Sequence, residues 1–195
     1  MGERIGEVIE ASTTGFVAQS YELHQAPPFG SFVRASDGAV EIFGIVCYAE
    51  TCGVDPGRRP IARGRDEVDE EEIYRNNPEL PELLRTEFTS VVVGFREGRD
   101  VFHYLPPRPP RIHGFVHICD DEEVRDFTSD LDFLQTLVNA NVRVSVDELI
   151  AATLRQAGNT RDADRSFLVR AGKELATLLI NDINRLNGIL RRIRP

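Results

Sequence analysis

The first half of the chain alternates short apolar runs with turn residues, and the second half changes to helical spacing. Arg4 to Glu10 reads as a strand. Ile5 and Ile9 share one face with Glu7 between them, and Val8 faces the other way. That alternation is imperfect, but the β-branched residues and the turn at Thr13-Thr14-Gly15 support it. Phe16 to Leu23 is the next strand, broken by Pro27-Pro28-Phe29-Gly30. Phe32 to Ala35 follows and ends at a hairpin-type turn, Ser36-Asp37-Gly38. Val40 to Tyr48 (VEIFGIVCY) is strongly β-prone, and Gly44 inside it predicts a bulge or a tight barrel corner.

Glu50 to Arg65 is rich in Gly and Pro and reads as a loop. The acidic stretch after it starts a short helix ending near Asn76-Asn77-Pro78, with a further helical turn at Leu80 to Leu84. Thr86 to Arg96 returns to strand around Val91-Val92-Val93. The turn Glu97 to Asp100 leads into Val101 to Leu105. Pro106 to Arg111 (PPRPPR) is a stiff, polyproline-like segment, and Ile112 to Ile118 is the last strand. Short strands separated by Gly-rich turns favour an all-β barrel over a parallel sheet.

From Leu131 the spacing is helical. Leu131, Phe133, Leu134, Leu137 and Val138 mark one helix. Ser145 is a candidate N-cap with Glu148 at the capping-box position, opening a helix to Gln156 that stops at Gly158-Asn159. One last helix is predicted from Asp162 to Arg192, about 45 Å long at 1.5 Å per residue. Its apolar stripe includes Phe167, Leu175, Leu179, Ile183, Leu186, Ile189 and Leu190. That stripe is too long for a small barrel to cover, so it is expected to pack on the other tail helices or on another chain. The fold class is therefore α+β. A small N-terminal antiparallel β-barrel over 1–118, with a helical insertion near 67–84, precedes a C-terminal helical subdomain over 119–195.

Composition supports a folded, acidic chain. It has 195 residues, 41% of them hydrophobic, with 11 Phe and no Trp, which is enough to build a core. The formal net charge is −9, so phosphates are repelled and any DNA contact is expected to be weak or indirect. Charge is uneven: DEVDEEE at Asp66 to Glu72 and DDEE at Asp120 to Glu123 are acidic, and Arg185 to Arg194 is basic. That asymmetry suits docking to a protein of mixed charge. Cys47, Cys52 and Cys119 are too few and too scattered for a secreted disulfide framework. MGERIGEVIE has no apolar signal core, no run reaches the ~20 residues of a membrane span, and Gly6 stands where a myristoylation pattern wants Ser or Thr. A cytoplasmic protein is expected.

Three segments resemble the HAS-barrel family, the small barrel shared by HerA-type DNA-translocating ATPases and rotary ATP synthases. They are RIGEVIEASTTGFVAQSYEL (Arg4 to Leu23), FGSFVRA (Phe29 to Ala35) and VEIFGIV (Val40 to Val46). In that family an opening Gly-x-Val strand, here Gly6-Glu7-Val8, leads through a Ser/Thr-rich turn to further Gly- and Val-containing strands. The resemblance covers about the first 118 residues and implies a barrel that docks other components. In HerA-like ATPases a Pro-rich segment leads from the barrel into the motor. PPRPPRIHGFVHI resembles that segment, but no motor sequence follows.

No residue set for phosphate chemistry accompanies the barrel. The nearest fragment to a P-loop, Arg170-Ala171-Gly172-Lys173-Glu174, lacks the upstream Gly and the hydroxyl residue that binds magnesium. His113, Phe115, His117 and Cys119 would share one strand face, and two His with a Cys could ligate zinc. Such His spacing is diagnostic mainly on helices and no Cys-x-x-Cys is present, so no metal is assigned. Cys47 and Cys52 match no redox motif and read as small buried hydrophobes. Arg58, Arg59, Arg63 and Arg65 form a basic loop that can meet an acidic partner. The alternative is balance against the carboxylates that follow.

The expectation is a non-catalytic adaptor or collar, with no cofactor, that docks on a HerA-like hexameric ATPase or on its NurA-type nuclease in DNA-end processing. The alternative is an accessory or inhibitory subunit of a rotary ATPase, its long last helix inserted between motor subunits. Candidate partner-binding residues are Arg58, Arg59 and Arg63 in the loop, and Leu179, Ile183, Leu186, Arg191 and Arg192 in the last helix, which is also the expected route to self-association.

Overall fold

The structure is a computed structural model that describes residues 2–55, 57–161 and 165–193. Seven strands form one antiparallel sheet: β1 (Arg4–Ala11), β2 (Gly15–Ser20), β3 (Phe32–Ser36), β4 (Glu41–Gly53), β5 (Leu84–Glu97), β6 (Asp100–Phe102) and β7 (Phe115–Ile118). Their order is β2-β1-β7-β3-β4-β5-β6, and β2 also pairs with β5. That second pairing closes six strands into a barrel, leaving β6 as a flap on the far end of β5. Closure removes the exposed edges that an open sheet would carry.

The barrel has apolar groups inside and, over part of its wall, outside. Val8, Phe16, Val33, Ile42, Val46, Phe88, Val92 and Val116 fill the interior. Phe32, Phe43, Ile45, Cys47, Val91 and Val93 point outward into a second core built with the helices. Both faces of β4 and β5 are therefore buried here, which is why VEIFGIVCY and VVV read as continuous apolar runs. The register of β4 against β5 shifts at Phe43/Gly44, the bulge that Gly44 predicted, and again at Val46/Tyr48. β4 runs on to Gly53, so the first residues assigned to a loop are strand. They pair with the start of β5 as a hairpin that carries α1 (Glu70–Asn76) and α2 (Leu80–Leu83).

Among the described residues five helices follow β7: α3 (Asp121–Phe127), α4 (Phe133–Val138), α5 (Val146–Asn159), α6 (Ser166–Leu178) and α7 (Ile183–Arg192). The sequence reading missed α3. DDEE is its N-terminus, where Asp120 and Glu123 form a reciprocal capping box. Glu123 also meets Arg34 of β3 at 2.7 Å, and Asp126 meets Arg96 of β5 at 2.7 Å, so this acidic run holds the helix to the barrel. Phe127 then packs on Phe43 at 4.6 Å between ring centroids, with Phe32 and Phe133 beyond 5 Å.

The single long last helix does not form, and its expected start at Asp162 lies outside the described residues. α6 ends where the Leu179 N–H bonds back to the Leu175 carbonyl. Asp182 then caps a new helix, its carboxylate accepting from the Arg185 N–H at 3.0 Å. The break folds α7 back onto α5. Arg185 meets Asp147 at 2.6 Å, Arg192 meets Glu148 at 2.6 Å, and Arg155 donates to the Arg192 carbonyl at 2.6 Å. Glu148 is thereby taken from the expected capping box: Ser145 occupies the N-cap position of α5 without a side-chain capping bond. α5 also continues through Gly158 to Asn159.

Gly30 shows how closely the two halves meet. Its φ is +84°, and a Cβ there would lie 2.7 Å from the Ala152 Cβ and 2.8 Å from the Thr153 nitrogen on α5. We expect Gly30→Ala to destabilise the protein by about 1–3 kcal/mol, from strain and from displacing α5. Chemical denaturation gives the midpoint; an unchanged midpoint would mean that α5 yields freely at this contact.

Candidate functional site

The helices cover only the β3-β4-β5 side of the barrel, and the β2-β1-β7 side is bare. β1 pairs with β2 and with β7, and the chain folds that way because Val8 and Val116 both point into the barrel. Their outward neighbours build a small cluster. The Arg4 guanidinium lies 4.6 Å from the Phe115 ring centroid and 5.4 Å from that of Tyr21. Tyr21 donates to Glu7 at 3.0 Å, and His113 Nδ1 lies 3.2 Å from the same carboxylate. Partial burial and the bond to Glu7 raise the Tyr21 phenol above its ordinary value, so it remains a donor. Phe115 is 50% exposed and Tyr21 48%, with Ile112 at the edge also exposed. Aromatic rings and an arginine standing open on a rigid sheet are what protein interfaces use as anchors.

A second feature is a cleft of about 1270 Å³. Its floor is the wall of β5 at Val91 and Val92. The segment from Val101 to Leu105 forms one side, and α4 with the turn to Val142 forms the other. Its lining mixes apolar groups with Tyr104, Asp130, Asp132 and Asn139. His103 is fixed at its base, with Nε2 2.9 Å from the Phe127 carbonyl and its ring edge-on to Phe127 at 4.7 Å.

The candidate residues from the sequence fall in three places. Arg58 and Arg59 are exposed beyond the β4–β5 hairpin and make no side-chain hydrogen bond or ion pair among the described residues. Arg63 is engaged, donating to Asn77 at 2.7 Å and pairing with Glu79. Leu179 is buried at 5% exposure, Leu186 is half-buried against the helical core, and Ile183 stands out at 66%. Arg191 is exposed at the end of α7, and Arg192 is tied to Glu148. Arg194 lies outside the described residues. The structure thus separates the loop arginines from the tail residues and buries much of the tail stripe.

The histidine strand is not as expected. His113 precedes β7 in a turn with φ +62°, so it does not share a strand face with His117. His117 pairs in register with Arg34 and Arg4. Partial burial first, and then Arg34, hold its imidazole below the ordinary value. Among the described residues no three His, Cys, Asp or Glu side chains are placed to hold a metal ion. Burial raises the thiols of Cys47 and Cys119. PPRPPR is anchored at intervals: Pro106 and Pro110 are buried, Arg108 meets Asp37 at 3.0 Å and the Arg111 N–H bonds to Ser36, while Pro107, Arg108, Pro109 and Arg111 stay exposed. No helix among the described residues is long and apolar enough to cross a membrane.

Sequence reasoning passed over Arg4, Tyr21 and Phe115 as a group. In the sequence Phe115 stands only as a neighbour of the histidines, and Arg4 only as the start of a strand. Their meeting depends on the pairing of β1 with β7, more than 100 residues apart, for which the local pattern carries no signal. No family model matches the chain, and no curated protein sequence is significantly similar to it.

Proposed function

We propose that this protein is a docking adaptor, a barrel held rigid on one side by its own helices and offered to a protein partner on the other. The observation that carries this reading is the bare β2-β1-β7 wall with Arg4 set between Tyr21 and Phe115. The partner is a HerA-like hexameric translocase or the NurA-type nuclease beside it, in DNA-end processing. Support for that choice comes from the segments resembling the HAS-barrel family: Arg4 to Leu23, Phe29 to Ala35 and Val40 to Val46 contribute β1 to β4 of a closed six-stranded barrel. The rotary-ATPase reading relied on one long helix, and with α6 and α7 folded back it has lost that support.

The test is a titration against the purified translocase and nuclease of the same cell. The wild-type chain should bind one of them saturably. Arg4→Ala combined with Phe115→Ala should weaken that binding about tenfold or more, the loss of at least one anchor of 1–2 kcal/mol, with the circular dichroism spectrum unchanged. Full affinity in the variant would move docking off this wall, and no binding to either protein would sink the reading.

A further inference from the structure

The basic loop lies at one end of the β4–β5 pair and the cleft against its middle, and they carry opposite charge. Among the described residues the cleft lining contains no lysine or arginine, while Asp130 and Asp132 stand exposed on its rim. Among the described residues Asp130 accepts only from the neighbouring Leu131 N–H at 2.6 Å, and Asp132 has no side-chain partner. Arg143 lies over the Tyr48 ring at 5.6 Å, and Arg170 donates to the Ser129 carbonyl at 3.3 Å. Tyr104 adds a 59% exposed ring, a surface that favours a guanidinium.

The loop supplies the matching pattern. Arg58, Arg59 and Arg65 are exposed and unpaired among the described residues, so the carboxylates that follow do not neutralise them. Ile61 between them is 76% exposed, an apolar side chain for the apolar part of the cleft. Within one molecule the loop is held away from the cleft. The loop is rooted where the Val54 N–H bonds to Leu83, and Arg63 fastens its far side to Asn77. On β5 the cleft starts at Thr89, five residues along the strand from Leu84, about 17 Å at 3.3 Å per residue.

We infer that the loop from Gly57 to Arg65 of one copy seats in the Asp130/Asp132 cleft of a second copy. The contact is head-to-tail, so the pair keeps one free loop and one free cleft and can add further copies. The formal net charge of −9 on each chain opposes association at long range. At physiological ionic strength that repulsion is screened beyond about 8 Å, and the local arginine–aspartate pairs decide.

Analytical ultracentrifugation of the full chain over a concentration series tests this. The wild type should show concentration-dependent association. Arg58→Glu with Arg59→Glu, and separately Asp130→Lys with Asp132→Lys, should each weaken it about tenfold or more. An equimolar mixture of the two variants should associate again, because the intact loop meets the intact cleft and the glutamate loop meets the lysine cleft. Should the lysine variant fail to fold by circular dichroism, Asp132→Asn replaces it, with a smaller loss expected. A wild type that stays monomeric at every concentration overturns the inference. So does loop-variant association equal to the wild type, or a mixture of folded variants that does not pair.

Discussion

Phe127→Ala is expected to lower stability by about 3–5 kcal/mol, the usual range for emptying a buried aromatic site. Phe127 has no exposed surface, and its ring is shared between the barrel wall at Phe43 and Phe32, the helix residue Phe133, and His103 just after β6. Gly94 leaves room for it, since a Cβ there would stand 3.1 Å from the ring. For a chain of this length each kcal/mol moves the melting temperature about 2–4 °C, so a fall on the order of 10 °C is expected. The barrel interior does not touch Phe127, so the far-UV strand signal should outlast the helical signal on heating. Coincident loss of both at a temperature near that of the wild type would mean that the helices are held elsewhere.

Leu179→Asp should have a comparable effect, and Ile183→Asp should have almost none. Leu179 is 5% exposed inside the core shared by α4 to α7, and a carboxylate there has no cationic partner to offset its desolvation. A loss of about 3 kcal/mol or more is expected, enough to unseat α6 and α7. Ile183 opens α7 at 66% exposure, and a carboxylate in the first turn of a helix is mildly favourable, so the change should stay within about 0.5 kcal/mol. A continuous helix from 166 to 192 would place both residues on one stripe and make their costs alike. Urea denaturation of the two variants therefore distinguishes the broken helix from the unbroken one, and equal destabilisation would contradict the fold described above.

The barrel was legible in the sequence because its strands carry their own signals: turns at Thr13-Thr14-Gly15 and Ser36-Asp37-Gly38, and a β-prone run around a bulged Gly44. Short strands with Gly-rich turns pointed to a barrel, but the pairing that closes it was not legible, because β2–β5 joins residues some 70 positions apart. Charge misled the reading of α3. DDEE looks solvated, and its pairing with Arg34 and Arg96 exists only once the helix lies on the sheet. The break before α7 had a signal in Asp182, a good N-cap, but the apolar period runs through it in phase and masks the turn. Of the candidate residues, Arg58 and Arg59 stand exposed as the loop composition suggested. Leu179 shows the limit of an apolar stripe, which fixes which residues seek cover and leaves open what covers them.

The docking role is tested most directly by a photo-reactive amino acid placed at Phe115 and, as a control, at Val169 on the exposed face of α6, each in the full chain inside the native cell. Irradiation should join the Phe115 probe to a translocase or nuclease subunit and leave the Val169 probe, which is 56% exposed, without that adduct. The same adduct from Val169 and none from Phe115 would contradict the account, because the partner would then sit on the helical side and the bare barrel wall would face only water.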